Sequence, residues 1–232
     1  MKHLPVPINK LLKLVRKTFF DEFAKNSYSQ EGEDMILNRI FDGRLSGFYV
    51  DVGAHHPRRF SNTFFFYKRG WSGINIEPNP EAIKSFKCDR ARDINLQCGV
   101  SECEGTFEYY CFNEPALNTF DKSIVQSRLE NTFYRLVKTD EIPVLRLDSI
   151  LKRHLPVGRE IDFLSVDVEG FDFGVLKSND WNLFRPQCVL AEVLDATLEE
   201  AINGEIAQFM RAQGYTVCSR TFNTLIFLEL RK

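Results

Sequence analysis

"YVDVGAHHPRRFSN", residues 49–62, carries an apolar strand into a single glycine, then two histidines, a proline and two arginines. The run 48–52 reads as a buried strand. Gly53 reads as the turn after it, where a backbone can come close to a ligand. A dinucleotide fingerprint needs further glycines, and Pro57 stands where one would be required, which weakens a nicotinamide dinucleotide reading. His55 and His56 make a poor zinc site by themselves. Neighbours on an extended chain point to opposite sides, and no third nitrogen or sulfur ligand lies at a useful spacing. One of the two can face a pocket as base or orienter while the other packs or meets solvent.

Outward from this stretch, strand-like runs recur at 73–76, 94–98, 162–168 and 188–193. Helical or mixed segments of crossover length lie between most of them. That alternation argues for a doubly wound parallel sheet. The chain closes differently. A helix over 198–213, stopped by Gly214, leads into "YTVCSR" and "TLIFLELR", which a short "TFN" turn makes an antiparallel hairpin. Residues 106–112 look like an extra strand, and 113–143 is the least regular part, an excursion suited to holding a substrate.

Ligands of such sheets sit beyond the carboxyl ends of the strands. There the first strand offers Asp51 beside Gly53. The second ends in "INIEPNPE", placing Glu77 roughly 25 residues past the glycine turn, near the ~20 expected of a ribose-binding acid. The fourth ends in "LSVDVEGFDF", giving Asp167, Glu169 and Gly170, and the fifth in "VLAEV", giving Glu192. Acids in apolar strands cost several kcal/mol to bury unless paired. They serve either backbone amides and arginines or a site where carboxylates face a cation, a metal or a proton to be removed.

The bulk numbers exclude rather than select. At 232 residues the chain can bury one substantial core, and a net charge of -2 gives no general reason to bind nucleic acid. The six cysteines show no CxxC pair and no zinc spacing, so they read as reduced thiols of a cytoplasmic protein. No apolar stretch is long enough to cross a bilayer. Lysines and arginines interrupt the apolar residues of 8–23, which argues against a signal peptide. That segment reads as an amphipathic helix packed on the domain or a partner subunit, with weak membrane-surface contact as the sharper alternative. There is no GxxxxGK[ST], no GxSxG and no HExxH.

The order "YSQEGEDMIL", "GFYVDVGAHHP", "SNT", "GWSGINIEPNP", "LRLDSIL" and "IDFLSVDVEGFDFGVLKS" resembles the FkbM-type S-adenosylmethionine-dependent methyltransferases, from about residue 27 to residue 192. The resemblance implies the α/β class I methyltransferase fold, a Rossmann-like sheet of seven strands, mostly parallel, with an antiparallel C-terminal hairpin and helices on both faces. It divides the chain into an N-terminal amphipathic helical extension, 1–26, and a methyltransferase domain, 27–232, with 113–146 as a variable substrate-region insertion. By position it implies that Asp51, Gly53 and Ala54 form the turn around the methionine part of S-adenosylmethionine, and that Glu77 holds the ribose hydroxyls. Gly99, Val100 and Ser101 lie against adenine, and Asp167 sits near the sulfonium methyl. Ser29, Gln30 and Asp34 match the family's "SQ…D" element, which covers the cofactor pocket. His55-His56-Pro57 stands where many members have an asparagine and further glycines.

Methyl transfer asks the protein to align an acceptor and remove its proton. For a hydroxyl of a glycan or other small molecule the base is Asp167, Glu169 or His55. A less favoured option has Asp167, Glu169 and Glu192 bind a divalent cation that lowers the acceptor's pKa. Arg58 and Arg59 can hold an acidic acceptor, although a solvated helix start is their more ordinary state. No nucleic-acid partner is expected, and a homo-oligomer is left open. The rival from another class is a catalytically silent cofactor-binding or scaffold protein that keeps the fold.

Overall fold

A computed structural model describes residues 23–230 except Asn131 and Glu169. The helix expected over 8–23 lies outside the described residues, apart from its last position.

The first half of the chain holds α1 (Glu33–Ile40), β1 (Phe48–Val52), α2 (Phe64–Lys68), β2 (Ser72–Ile76), α3 (Pro80–Asp89) and β3 (Ile94–Leu96). An excursion follows, with β4 (Gly99–Val100), β5 (Gly105–Phe112), a 3-10 turn (Pro115–Leu117), α4 (Lys122–Glu130) and β6 (Leu136–Leu145). The second half holds α5 (Leu147–His154), β7 (Phe163–Val166), α6 (Asp172–Lys177), β8 (Cys188–Glu192), α7 (Leu198–Asn203), α8 (Glu205–Ala212), β9 (Tyr215–Arg220) and β10 (Thr224–Glu229).

The main sheet has seven strands in the order β3-β2-β1-β7-β8-β10-β9. Pairing is parallel from β3 through β8 and antiparallel at β10, which lies between β8 and β9. This is the seven-stranded architecture with a closing hairpin that the sequence implies. Strand order reverses between β1 and β7, so the ends of these two strands frame the natural binding crevice.

Alternation along each strand feeds a core on either face. Val50 and Val52 pack with Leu147 and Ile150 of α5, Val175 and Leu176 of α6, and Met210 of α8. Tyr49 and Phe163 face the other way, toward Leu37 of α1, Phe66 of α2 and Trp71. Each such side chain contributes about 1.5–3 kcal/mol by leaving water. The two layers therefore hold the strand ends rigidly while loops beyond them vary.

Three expectations are corrected. The third strand stops at Leu96, and Gly99–Val100 joins a second sheet ordered β4-β6-β5. The segment 113–143 is more regular than its sequence suggests, because β6 pairs antiparallel with β5 from Gly105↔Val144 to Phe112↔Leu136. The helix over 198–213 is two helices. Gly204 is extended between them (φ -69, ψ 173) and caps α8. Thr197 and Glu200 close the start of α7 with a reciprocal capping box.

Candidate active site

Gly53 has a left-handed backbone, φ 80, and a Cβ built on it would stand 1.8 Å from the Asp167 carbonyl oxygen. Only glycine fits where the chain leaving β1 passes the chain leaving β7. The two crossings are also bonded: Gly53 N–H donates to the Ile76 carbonyl at 3.0 Å, and Asp167 N–H to the Val52 carbonyl at 3.0 Å. Beside this junction opens a cleft. Its walls include Gln30, Gly53, His55, Glu77, Gly99, Val100 and Asp167 of the residues expected from sequence.

Glu77 is buried at the mouth of β2. Its Oε2 accepts from the His55 N–H at 2.9 Å and its Oε1 from the Asn79 N–H at 2.8 Å. Burial outweighs these two hydrogen bonds, and the nearby Asp51 adds to it, so the pKa is pushed up to about 7. Cys98, Val100, Phe120 of the excursion and Phe171 at the α6 start also line the cleft, giving it an apolar wall in which the Phe120 and Phe171 rings meet edge to face at 6.5 Å. A Cβ on Gly99 would come within 2.7 Å of the Phe120 ring, so this glycine admits the aromatic wall.

The two histidines separate cleanly. His56 Nδ1 accepts from the backbone N–H groups of Arg58 and Arg59, at 3.1 and 3.0 Å, and so caps the turn as a neutral ring. His55 lines the cleft with a left-handed backbone, φ 53, and a ring stacked on Phe60 at 6.2 Å. Its Nε2 is buried with no hydrogen-bond partner among the described residues. Burial, then the charges of Arg59 and His56, lower its pKa and keep the imidazole neutral at pH 7.

Other expected residues stand elsewhere. The Asp51 side chain is on the opposite face of β1, where it accepts from Thr63 Oγ1 at 2.9 Å; burial pushes its pKa to about 6. Asp34 is fully buried and accepts from Ser27 Oγ, Tyr28 N–H and Ser29 Oγ, which folds the "SQ" element over so that Gln30 reaches the cleft. Ala54 and Ser101 do not line the cleft; their backbone N–H groups bond to Ile76 and Leu145. Glu169 lies outside the described residues.

Past Gln30, Phe60 and Asp167 the cleft adjoins a smaller, narrow recess that those three residues share. Glu31, Glu33 and Glu192 with Asn62, Asn223 and Thr224 complete its lining, which contains no lysine or arginine among the described residues. Glu31 accepts from Asn223 N–H, Asn223 Nδ2 and Thr221 Oγ1 at 2.8, 2.9 and 2.7 Å, tying the "SQ" element to the turn before β10. Phe60 and Asn62 escaped the sequence reading, although both fall within the opening stretch. Phe60, φ 56, sits in a loop with no periodicity to reveal its direction. Among the described residues no three histidines, cysteines or carboxylates lie close enough together to hold a metal ion.

The donor set fits a phosphate-free nucleoside carrying an amino-acid tail. A buried carboxylate at the second strand suits vicinal hydroxyls, the apolar wall suits a base, and among the described residues the cleft lining holds no lysine or arginine for a phosphate. No curated protein sequence matches the chain. Solved structures similar to it include a candidate RNA methyltransferase from Pyrococcus horikoshii, at 11% identity and TM-score 0.45, covering 96% of this chain and 100% of that one. Another is a 1,6-didemethyltoxoflavin-N1-methyltransferase from Burkholderia thailandensis, at 13% identity and TM-score 0.42, covering 100% of this chain and 93% of that one. Residues 51–217 match the family described as the methyltransferase FkbM domain. That match covers more than half of the chain and runs from β1 into β9, through every strand of the parallel core. The chain therefore belongs to the FkbM family of S-adenosylmethionine-dependent methyltransferases.

Proposed function

We propose that this enzyme methylates a hydroxyl of a neutral glycan or similar hydroxyl-rich small molecule. The observation that carries the reading is the acid- and amide-lined recess adjoining the donor cleft at Gln30, Phe60 and Asp167. Carboxylates and amides accept from and donate to hydroxyls, and they repel a carboxylate or phosphate. An acidic acceptor is disfavoured further by Arg58 and Arg59, which pair with Asp89 at 3.0 Å and Glu114 at 3.3 Å.

When bound, S-adenosylmethionine supplies a methyl carbon already activated by the sulfonium. In this reading Glu77 accepts the ribose hydroxyls, Gly53 lets the methionine part approach the backbone, and Gly99, Val100 and Phe120 flank adenine. Gln30 and Phe60 exclude water where the two spaces meet. Asp167, shared by both spaces, takes the acceptor proton, and neutral His55 is the second base of the cleft. Residues 27–232 act as the methyltransferase domain and 113–146 as its substrate region. The cytoplasm is the proposed compartment, consistent with six free cysteines.

The test is methyl transfer from labelled donor into fractionated neutral glycans, anionic glycans and amines. Label in the neutral fraction, on oxygen, supports the proposal. Label confined to amines or anionic species overturns it, and the absence of both donor binding and transfer returns the chain to the scaffold reading.

A further inference from the structure

The loop from Gly53 to Thr63 builds one wall of the donor cleft, yet it contains two non-glycine residues with left-handed backbones, His55 and Phe60. Each such residue costs roughly 1–2 kcal/mol and persists only where its surroundings over-determine it. At the near end the loop is held by Gly53 and Ala54 on the Ile76 carbonyl and by His55 on Glu77. Farther along, His56 Nδ1 caps Arg58 and Arg59, Ser61 N–H bonds to the Tyr28 carbonyl, Asn62 to Ser165 Oγ and Thr63 Oγ1 to Asp51. One buried side chain that the sequence did not single out joins the middle to the far end.

That side chain is Arg90, at the end of α3 and 0% exposed. Its Nη1 donates to the Pro57 carbonyl at 2.9 Å. Its Nη2 donates to Thr63 Oγ1 at 2.9 Å and to the Tyr49 hydroxyl at 2.7 Å. The Nε completes a pair with Asp93 at 3.0 Å, and Asp93 also accepts from Tyr49, Gly73 N–H and Asn75. A fully buried guanidinium is tolerated only with its donors spoken for. Here two of the four bonds reach the cleft loop and two anchor the guanidinium in the sheet.

We infer that Arg90 is the positioning residue of the donor cleft, holding the His55 loop in its strained shape through the Pro57 carbonyl and Thr63. It touches no cleft atom itself; it acts through the backbone that presents His55, and through the His55 N–H on Glu77. A planar fork is needed, because one ammonium cannot meet Asp93, Tyr49, Thr63 and Pro57 from a single point. The inference rests on the donor-site reading and adds to it what keeps the site in shape.

The experiment compares wild type, Arg90→Lys and Tyr49→Phe in the full chain. Two readouts are taken: S-adenosylhomocysteine affinity by calorimetry and hydrogen exchange of peptides covering 53–63. Arg90→Lys keeps the charge opposite Asp93 but cannot span to the loop. It is expected to weaken binding at least tenfold and to speed exchange in 53–63 at least tenfold, leaving β1 and β2 protected. Tyr49→Phe removes a sheet anchor and leaves the Pro57 bond, so both readouts stay within threefold of wild type. A folded Arg90→Lys with wild-type affinity and loop exchange overturns the inference, as does equal damage from Tyr49→Phe. If Arg90→Lys does not fold, Thr63→Val removes the far contact with the charge pair intact, and Asp51→Ala, which removes the other partner of Thr63 Oγ1, is the reference it is read against. Faster exchange in 53–63 with weaker binding supports the inference, and no change in either overturns it. A wild type that binds no S-adenosylhomocysteine overturns the donor site and this role together, whereas wild-type binding with an indifferent Arg90→Lys overturns this role alone.

Discussion

The backbone N–H of His55 donates to Oε2 of Glu77 at 2.9 Å, so the turn after β1 and the acid after β2 form one unit. With Asn79 N–H on the other oxygen, each carboxylate oxygen keeps a lone-pair direction for a ribose hydroxyl. Replacing Glu77 by Gln puts a donor where one of those N–H groups or hydroxyls must be accepted. S-adenosylhomocysteine affinity is expected to fall 10- to 100-fold, about 1.4–2.8 kcal/mol. Calorimetric titration of Glu77→Gln reads this directly, and unchanged affinity removes Glu77 from the site.

In the proposed donor site the same carboxylate is expected to make donor binding depend on pH. Burial holds the unliganded pKa at about 7. Hydroxyls that donate to the charged form lower it, so binding releases a proton near neutrality and tightens as pH rises through about 7. Titrations in buffers of different ionisation enthalpy at pH 6.5 should show the release. A heat independent of buffer contradicts it.

Stability follows the opposite direction. Asp51, Glu77 and Asp172 have folded pKa values raised to about 6, 7 and 7, burial being the main cause in each. A raised carboxylate pKa means that the native state holds protons the unfolded chain releases. The stability these groups supply is full below about pH 4 and is lost as pH climbs through 6 to 7. For Glu77 alone the loss is on the order of 3 kcal/mol. The melting temperature of Glu77→Gln relative to wild type should therefore rise between pH 5 and pH 8 in the absence of donor. A flat difference refutes the linkage.

Gly53→Ala confronts both a left-handed backbone and the Asp167 carbonyl. Because the obstacle is main chain, side-chain repacking cannot relieve it. A loss of at least about 2 kcal/mol in chemical denaturation is expected, with donor binding abolished. Near-wild-type stability would mean that the two strand ends can separate without penalty.

Asp167→Asn tests proton removal. It preserves shape but cannot accept a proton, so transfer to a hydroxyl should drop by about 100-fold or more. S-adenosylhomocysteine affinity should change far less. Equal losses in both would make Asp167 a binding residue instead.

Much of the fold was legible because strand periodicity and the closing hairpin are local signals. The lining of the cleft was legible where backbone dictates it, at Gly53, and where an acid ends a strand, at Glu77. The Asp51 side chain does not line the cleft, and the signal for that was present. Val50 and Val52 face one core, so period-two alternation turns Asp51 toward the other face with Tyr49. The strand β6 was illegible because its charged residues are exposed and its pairing with β5 crosses a long excursion. Phe60 and Arg90 were hidden for a related reason: left-handed loop residues and a buried arginine take their meaning from tertiary contacts alone.

The bonds from Asn223 to Glu31 span 192 residues. During synthesis, the element bearing Gln30 therefore emerges well before the turn that clamps it. The recess is thus finished only when the β9–β10 hairpin has left the ribosome, after the parallel strands can pair. A chain cut before β9 would retain Gly53, Glu77 and Asp167 but lack the clamp that seats Gln30. Formation of the β9–β10 hairpin is thereby coupled to the seating of Gln30 at the cleft.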